Sequence, residues 1–227
     1  VDSNIELTFS EAVDRESGDI YIYKSSDDTE VERISVTSDN VTGTGTNVIK
    51  IDPSSDLDSS TQYYVKIDAS AFDDSSDNSF SGISSKTALS FTTADVEAPT
   101  LSSSSPADNA TAVGVDSNIE LTFSEAVDRE SGNIYIYKSS DDTEVERISV
   151  TSDNVTGTGT NVITINPSSD LDSTTQYYVN IDASAFDDSS GNSFSGISSK
   201  TALSFTTADV EAPTLSSSSP ADNATAV

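Results

Sequence analysis

The side chains able to do chemistry in this 227-residue sequence are almost all oxygen donors. Asp and Glu number 39 against 10 Lys and Arg, a net charge of −29, and Cys, His, Met and Trp are absent. The carboxylates fall in short groups: Asp56 and Asp58; Asp95 and Glu97; Glu125, Asp128 and Glu130; and Asp187 and Asp188, with Asn192 close behind. Oxygen donors suit hard cations. Calcium takes about six to eight oxygens at roughly 2.3–2.6 Å, so several such groups can share one ion, whereas magnesium prefers to keep its own waters. No EF-hand loop and no Gly-Gly-x-Gly-x-Asp repeat is present. Most of the acid must therefore be solvated surface.

The same composition excludes other chemistries. Without Cys there is no disulfide, thiolate nucleophile or iron–sulfur cluster, and without His no imidazole base or ligand. The negative charge repels nucleic acid and anionic lipid heads, so neither nucleic-acid binding nor direct membrane insertion is expected. Asp187 and Asp188 could in principle act as a glycosidase pair. They are adjacent in a repeat with no cleft-forming insertion, so no enzyme is expected.

The elements that position these groups come in duplicate. Residues 1–113 return as 115–227, with differences only at Asp19/Asn133, Lys50/Thr164, Asp52/Asn166, Ser60/Thr174, Lys66/Asn180 and Asp77/Gly191. The 114-residue period is too long for a solenoid unit and long enough for a domain with its own core. Low hydrophobicity with high charge would by itself suggest disorder. The apolar residues, however, alternate with period two. Ile119, Leu121 and Phe123 read as one strand, and Ile134 and Ile136 as another. Ile163 and Ile165 mark a third, Tyr177, Val179 and Ile181 a fourth, and Leu203 and Phe205 a fifth. Val145, Ile148 and Val150 break the alternation and predict a bulge, and Thr100-Leu101-Ser102 a short first strand. The fold class is therefore all-β: a β-sandwich of about seven antiparallel strands in each repeat.

Leu171-Asp172-Ser173-Thr174-Thr175-Gln176-Tyr177-Tyr178-Val179-Asn180-Ile181 resembles the run entering strand F of fibronectin type III and related folds, where a tyrosine hydroxyl bonds back to upstream backbone. Tyr177, and Tyr63 in the first copy, would take that role. The wider repeat resembles bacterial Ig-like domains of the S-layer and giant-adhesin type. The resemblance rests on Ala98-Pro99-Thr100, Ser105-Pro106-Ala107-Asp108-Asn109, Ile119 to Asp128, Phe186 to Asn192, and Leu203-Ser204-Phe205-Thr206-Thr207. It implies tandem Ig-like β-sandwich domains that serve as spacers strung along large secreted bacterial surface proteins, often stiffened by calcium. The first copy departs from the pattern at Asp77, where Gly191 stands in the second.

On that pattern residues 1–94 are a domain lacking its first strand, 95–208 a complete domain, and 209–227 the first strand of a third repeat. The junction of such domains gathers the linker and the B–C and F–G loops, so the expected calcium ligands are Asp95, Glu97, Glu125, Asp128, Asp187, Asp188 and Asn192. The expected partners are neighbouring repeats of the same protein. Identical chains would join them if the C-terminal segment is exchanged as a donor strand, making a filament or surface-layer subunit. The expected location is extracellular, at the cell surface. Tyr135, Tyr137 and Tyr178, read as exposed, are expected to form cross-strand pairs on the outer sheet face; an aromatic surface for carbohydrate, making the chain a carbohydrate-binding module, is a third functional reading.

Overall fold

A computed structural model describes residues 4–219, 222 and 225. The chain divides into two compact units, Val1–Glu97 and Ala98–Val227. Every element is a β-strand, and no helix among the described residues is long and apolar enough to cross a membrane.

The first unit holds β1 (Ile5–Arg15), β2 (Asp19–Lys24), β3 (Glu30–Ser35), β4 (Val41–Thr42), β5 (Thr46–Ile51), β6 (Gln62–Ile67), β7 (Phe72–Asp74) and β8 (Ser90–Thr92). They form two sheets, in the orders β4-β5-β1-β7 and β3-β2-β6-β8. The second unit holds β9 (Leu101–Ser105), β10 (Ala110–Val113), β11 (Ile119–Arg129), β12 (Asn133–Lys138), β13 (Glu144–Ser149), β14 (Val155–Thr156), β15 (Thr160–Ile165), β16 (Gln176–Ile181), β17 (Phe186–Asp187) and β18 (Ser204–Thr207). Its sheets run β14-β15-β11-β17, with β9 on the flank of β11, and β10-β18-β16-β12-β13. β9 and β10 have no counterpart among the described residues of the first unit.

The period-two pattern sets the core. Ile134, Ile136, Ile163 and Ile165 are buried between partly or fully exposed strand neighbours, and Val179 and Phe205 are buried in strands that are covered more fully. Such alternation leaves one face for the sandwich interior and one for water. The expected bulge is present: the β12–β13 register shifts between Ile136 and Tyr137, leaving Val145 41% exposed. Between β14 and β15 the chain turns at Gly157, whose φ is +101°. A Cβ there would lie 2.0 Å from the Val162 carbonyl oxygen, so only glycine fits.

The outer-face tyrosines pair across strands as expected, Tyr137 opposite Tyr178, but they are less exposed than the alternation suggests. Tyr178 is buried, 4% exposed, and Tyr135 and Tyr137 are half-buried. Tyr137 stacks on Tyr135 at 6.0 Å and on Tyr178 at 5.0 Å, with Arg147 over Tyr135 and Lys200 over Tyr178 at the two ends. The ring faces a sugar would need are occupied by one another and by these cations. The first unit builds the same ladder from Arg33, Tyr21, Tyr23, Tyr64 and Lys86.

Candidate functional site

Glu125, Asp128 and Asp187, expected in loops, lie within strands whose registers fix them, because β11 runs on to Arg129 and pairs there with β17; Asp188 and Asn192 fall in the turn that follows. In the second unit β11 carries Glu125 and Asp128, and β17 pairs with its far end, setting Asp128 against Asp187 and Arg129 against Phe186. The two carboxylate-bearing residues are thus direct cross-strand neighbours, an arrangement that repels unless something positive or hydrogen-bonding compensates. Asp128 Oδ1 accepts the Thr158 hydroxyl at 2.9 Å. Asp187 Oδ1 is buried and finds no hydrogen-bond partner among the described residues, as does Asp73 Oδ1 at the equivalent place in the first unit.

Asp188 is the keystone of the next turn. Its Oδ1 accepts the backbone N–H of Ser190 and of Asn192, each at 2.8 Å, and its Oδ2 accepts Asn192 Nδ2 at 2.8 Å. This Asx-type turn closes the β17 end of the loop, and the Asp-x-Ser-x-Asn spacing is the signal that finds it. Asp188 is only 5% exposed. Burial pushes its carboxyl up, but the hydrogen bonds from Asn192, Ser190 and Gly191 outweigh that and hold it below the usual carboxylate range. Asp188 is therefore a fixed, ionised group. Asp74 is built alike, from Ser76 and Asn78, and its carboxyl is lowered by the Asn78 side chain first and the backbone N–H groups of Asn78 and Ser76 next.

The second copy's Gly191 takes φ +84° in this turn, and Asp77 takes φ +61° in the first. Each donates its N–H to the first turn carboxylate's own carbonyl, Asp77 to Asp74 at 3.1 Å and Gly191 to Asp188 at 3.2 Å. The turn survives the departure because Asp tolerates the left-handed region better than most residues.

The Asp95 carboxylate of the linker is set within the first unit. Asp95 Oδ1 accepts the Ser59 hydroxyl and the Glu97 N–H, both at 3.1 Å, while Ser59 Oγ accepts the Val96 N–H at 2.9 Å. Asp95 is half-buried and Glu97 exposed. Asp209 and Ser173 repeat the arrangement in the second unit, where Glu211 N–H reaches Asp209 Oδ1 at 3.0 Å and Val210 N–H reaches Ser173 Oγ at 3.0 Å. Of the other acidic groups, Asp58 is engaged by Lys24 in an exposed ion pair. Such a pair contributes little to stability.

Arg129 was not singled out by its sequence context. Its Nη1 donates to the carbonyls of Ser152 at 2.9 Å, Val150 at 3.4 Å and Val155, tying β11 to the turn before β14. Arg15 does the same in the first unit toward Ser38 and Val41. A lone Arg at the end of a strand carries no sequence signal that separates it from a solvated one.

A family model described as "Bacterial Ig-like domain" matches residues 1–93 and again 95–207. No curated protein matches the chain in sequence. Among solved structures, a biofilm-associated protein, BSP domain, aligns over 93% of this chain and 28% of its own, at 14% identity and a TM-score of 0.25. The chain thus spans under a third of that protein's length. The N-terminal Ig1-2 module of the Drosophila receptor protein tyrosine phosphatase DLAR aligns over 91% of this chain and 97% of its own, at 12% identity and TM-score 0.21. Murine CEACAM1b aligns over 83% and 86%, at 12% identity and TM-score 0.23.

Proposed function

The chain belongs to the bacterial Ig-like domain family, and on that premise we propose that it is a run of spacer repeats in a large secreted bacterial surface protein or adhesin. Its work is mechanical: sandwiches follow one another in sequence and hold a more distal part away from the cell. The observation that carries this reading is the near-identity of residues 1–113 and 115–227, repeated at a 114-residue period, in a chain that builds two separate hydrophobic cores. A specific binding or catalytic site has no need of two such copies. A spacer gains length with each one. No catalytic role is proposed.

Calcium is the proposed stiffener. Its ligands would come from the linker, Asp95 and Glu97, and from β11, β17 and the turn after β17 in the repeat that follows, Glu125, Asp128, Asp187, Asp188 and Asn192. The donor set fits the ion: carboxylate and amide oxygens with no nitrogen or sulfur ligand. Two features of the second unit support it. Asp188 is fixed by three hydrogen bonds with its carboxyl lowered, and Asp187 has a buried oxygen without a hydrogen-bond partner among the described residues, beside the like-charged Asp128.

Small-angle scattering of the 227-residue chain, in millimolar calcium and in excess chelator, tests the reading. Stiffening predicts a narrower distribution of particle lengths in calcium. Superimposable curves would reject it.

A further inference from the structure

One of the differences between the two copies changes the chemistry of a peptide bond. Asp52 precedes Pro53 in the first copy, where Asn166 precedes Pro167 in the second. Proline carries no N–H, so Asp52–Pro53 is a tertiary amide. Its nitrogen takes up a proton and leaves more readily than that of an ordinary peptide. An aspartate side chain is also the right length to reach its own carbonyl carbon, by closing a five-membered ring, and a carboxyl can act as a nucleophile.

The first unit holds this bond from both sides. Pairing of β4 with β5 sets Val41 against Ile51 and Thr42 against Lys50, which carries Asn40 to Asp52. The Asp52 N–H donates to the Asn40 carbonyl at 2.8 Å, and Asn40 Nδ2 donates to the Asp52 carbonyl oxygen at 2.8 Å. Beyond the proline, the Ser54 N–H donates to both carboxylate oxygens of Glu32, at 3.1 and 3.0 Å. Glu32 is thus the titratable group set beside the bond. Lys50, two residues back on the same strand, is taken by Glu6 at 3.7 Å. The Asp52 carboxyl itself is exposed and makes no hydrogen bond or ion pair among the described residues. It is therefore free to turn onto its own carbonyl.

We propose that Asp52–Pro53 is a self-cleavage site, at which the chain cuts its own backbone in mild acid. The protonated Asp52 carboxyl adds through oxygen to the Asp52 carbonyl carbon. Asn40 Nδ2 already donates to the carbonyl oxygen that becomes negative, the place of an oxyanion donor. The carboxyl proton passes to the Pro53 nitrogen, the carbon–nitrogen bond breaks, and residue 52 is left as a cyclic anhydride. Water opens the anhydride. The products are residues 1–52, ending in an ordinary Asp, and residues 53–227, beginning with a free proline amine. One water is consumed, and nothing is oxidised or reduced. The event occurs once per chain, so it makes no enzyme. In the second copy Glu146 holds the Ser168 N–H in the same way, at 3.0 and 3.1 Å. Asn166 offers an amide in place of the acid, so that bond stays whole. Neither calcium nor the spacer reading enters the argument.

Intact-mass analysis of the 227-residue chain held at pH 4 and at pH 7 tests the site, with circular dichroism verifying the fold at each pH. Fragments 1–52 and 53–227 are expected to accumulate at pH 4 and not at pH 7, and Asp52→Asn is expected to abolish them. A synthetic peptide of residues 47–58, which lacks Asn40, separates a built site from the ordinary acid lability of the dipeptide. The folded chain is expected to cleave on the order of tenfold faster than the peptide, and Asn40→Ala to remove that advantage. Enzyme oxyanion donors contribute about 10²–10³, and this one is partly open to water. The proposal is overturned if the folded chain is cut no faster than the peptide, or if Asn40→Ala leaves its rate unchanged.

Discussion

The hydroxyl of Tyr177 accepts the backbone N–H of Asp172, five residues upstream, at 2.9 Å, and Tyr63 does the same for Asp58 at 3.0 Å. Both rings are fully buried. The contact ties the loop before β16 to the strand itself, and it makes the tyrosine a corner brace as well as core filler. Replacing Tyr177 by Phe keeps the ring and orphans a partly buried N–H. The expected cost is about 1–2 kcal/mol. That corresponds to a fall of roughly 4–10 °C in the second unit's midpoint by calorimetry, with the first unit unmoved.

The acid limb of stability should carry a signature of Asp188. Its folded carboxyl is lowered relative to the unfolded chain. A lowered group contributes stability that is fully present above its unfolded value and is lost as pH falls through the folded one. Asp188→Asn should therefore melt below the unmodified chain at pH 6–7. The gap should shrink as the pH drops below about 4, the ordinary carboxylate range. A gap that is constant from pH 7 to pH 2 would contradict the ionised role.

Asp77 sits at φ +61° where its twin is glycine. Side chains other than glycine are strained in that region by about 1–2 kcal/mol, least for Asp and Asn, and glycine loses more chain entropy on folding. The balance predicts that Asp77→Gly stabilises the first unit by about 0.5 kcal/mol, read as a shift in denaturation midpoint without a change of slope. A destabilised variant would mean that the Asp77 side chain does more than tolerate the turn.

Much of the architecture was legible from apolar spacing. Ile119, Leu121, Phe123, Ile134, Ile136, Ile163 and Ile165 all point inward as their alternation requires, because a strand that keeps one face dry must repeat every two residues. The corner tyrosine was legible because its neighbours fix a known loop. Other features follow from tertiary pairing and left little trace. β10 pairs in parallel with β18, through Ala110 opposite Phe205 and Val113 opposite Thr207, and its small side chains look like a loop. Tyr178 alternates out of the core, yet the stacked rings and Lys200 cover it. For the acidic groups, the sequence marks which loops are charged. It does not mark that Asp188 spends its oxygens on its own turn, nor that Ser59 fixes Asp95. Those roles depend on backbone N–H groups and hydroxyls, which every loop possesses.

The central claim is that some of these carboxylates hold calcium and that the held ion stabilises the array. Binding to the folded chain alone raises stability by about 2.7 kcal/mol when calcium stands 100-fold above its dissociation constant. Differential scanning calorimetry of the 227-residue chain in millimolar calcium and in excess chelator is the most direct test, with Asp188→Asn as the control. The account predicts a midpoint several degrees higher in calcium and a shift that is largely lost in the variant. Identical midpoints with and without calcium would contradict it.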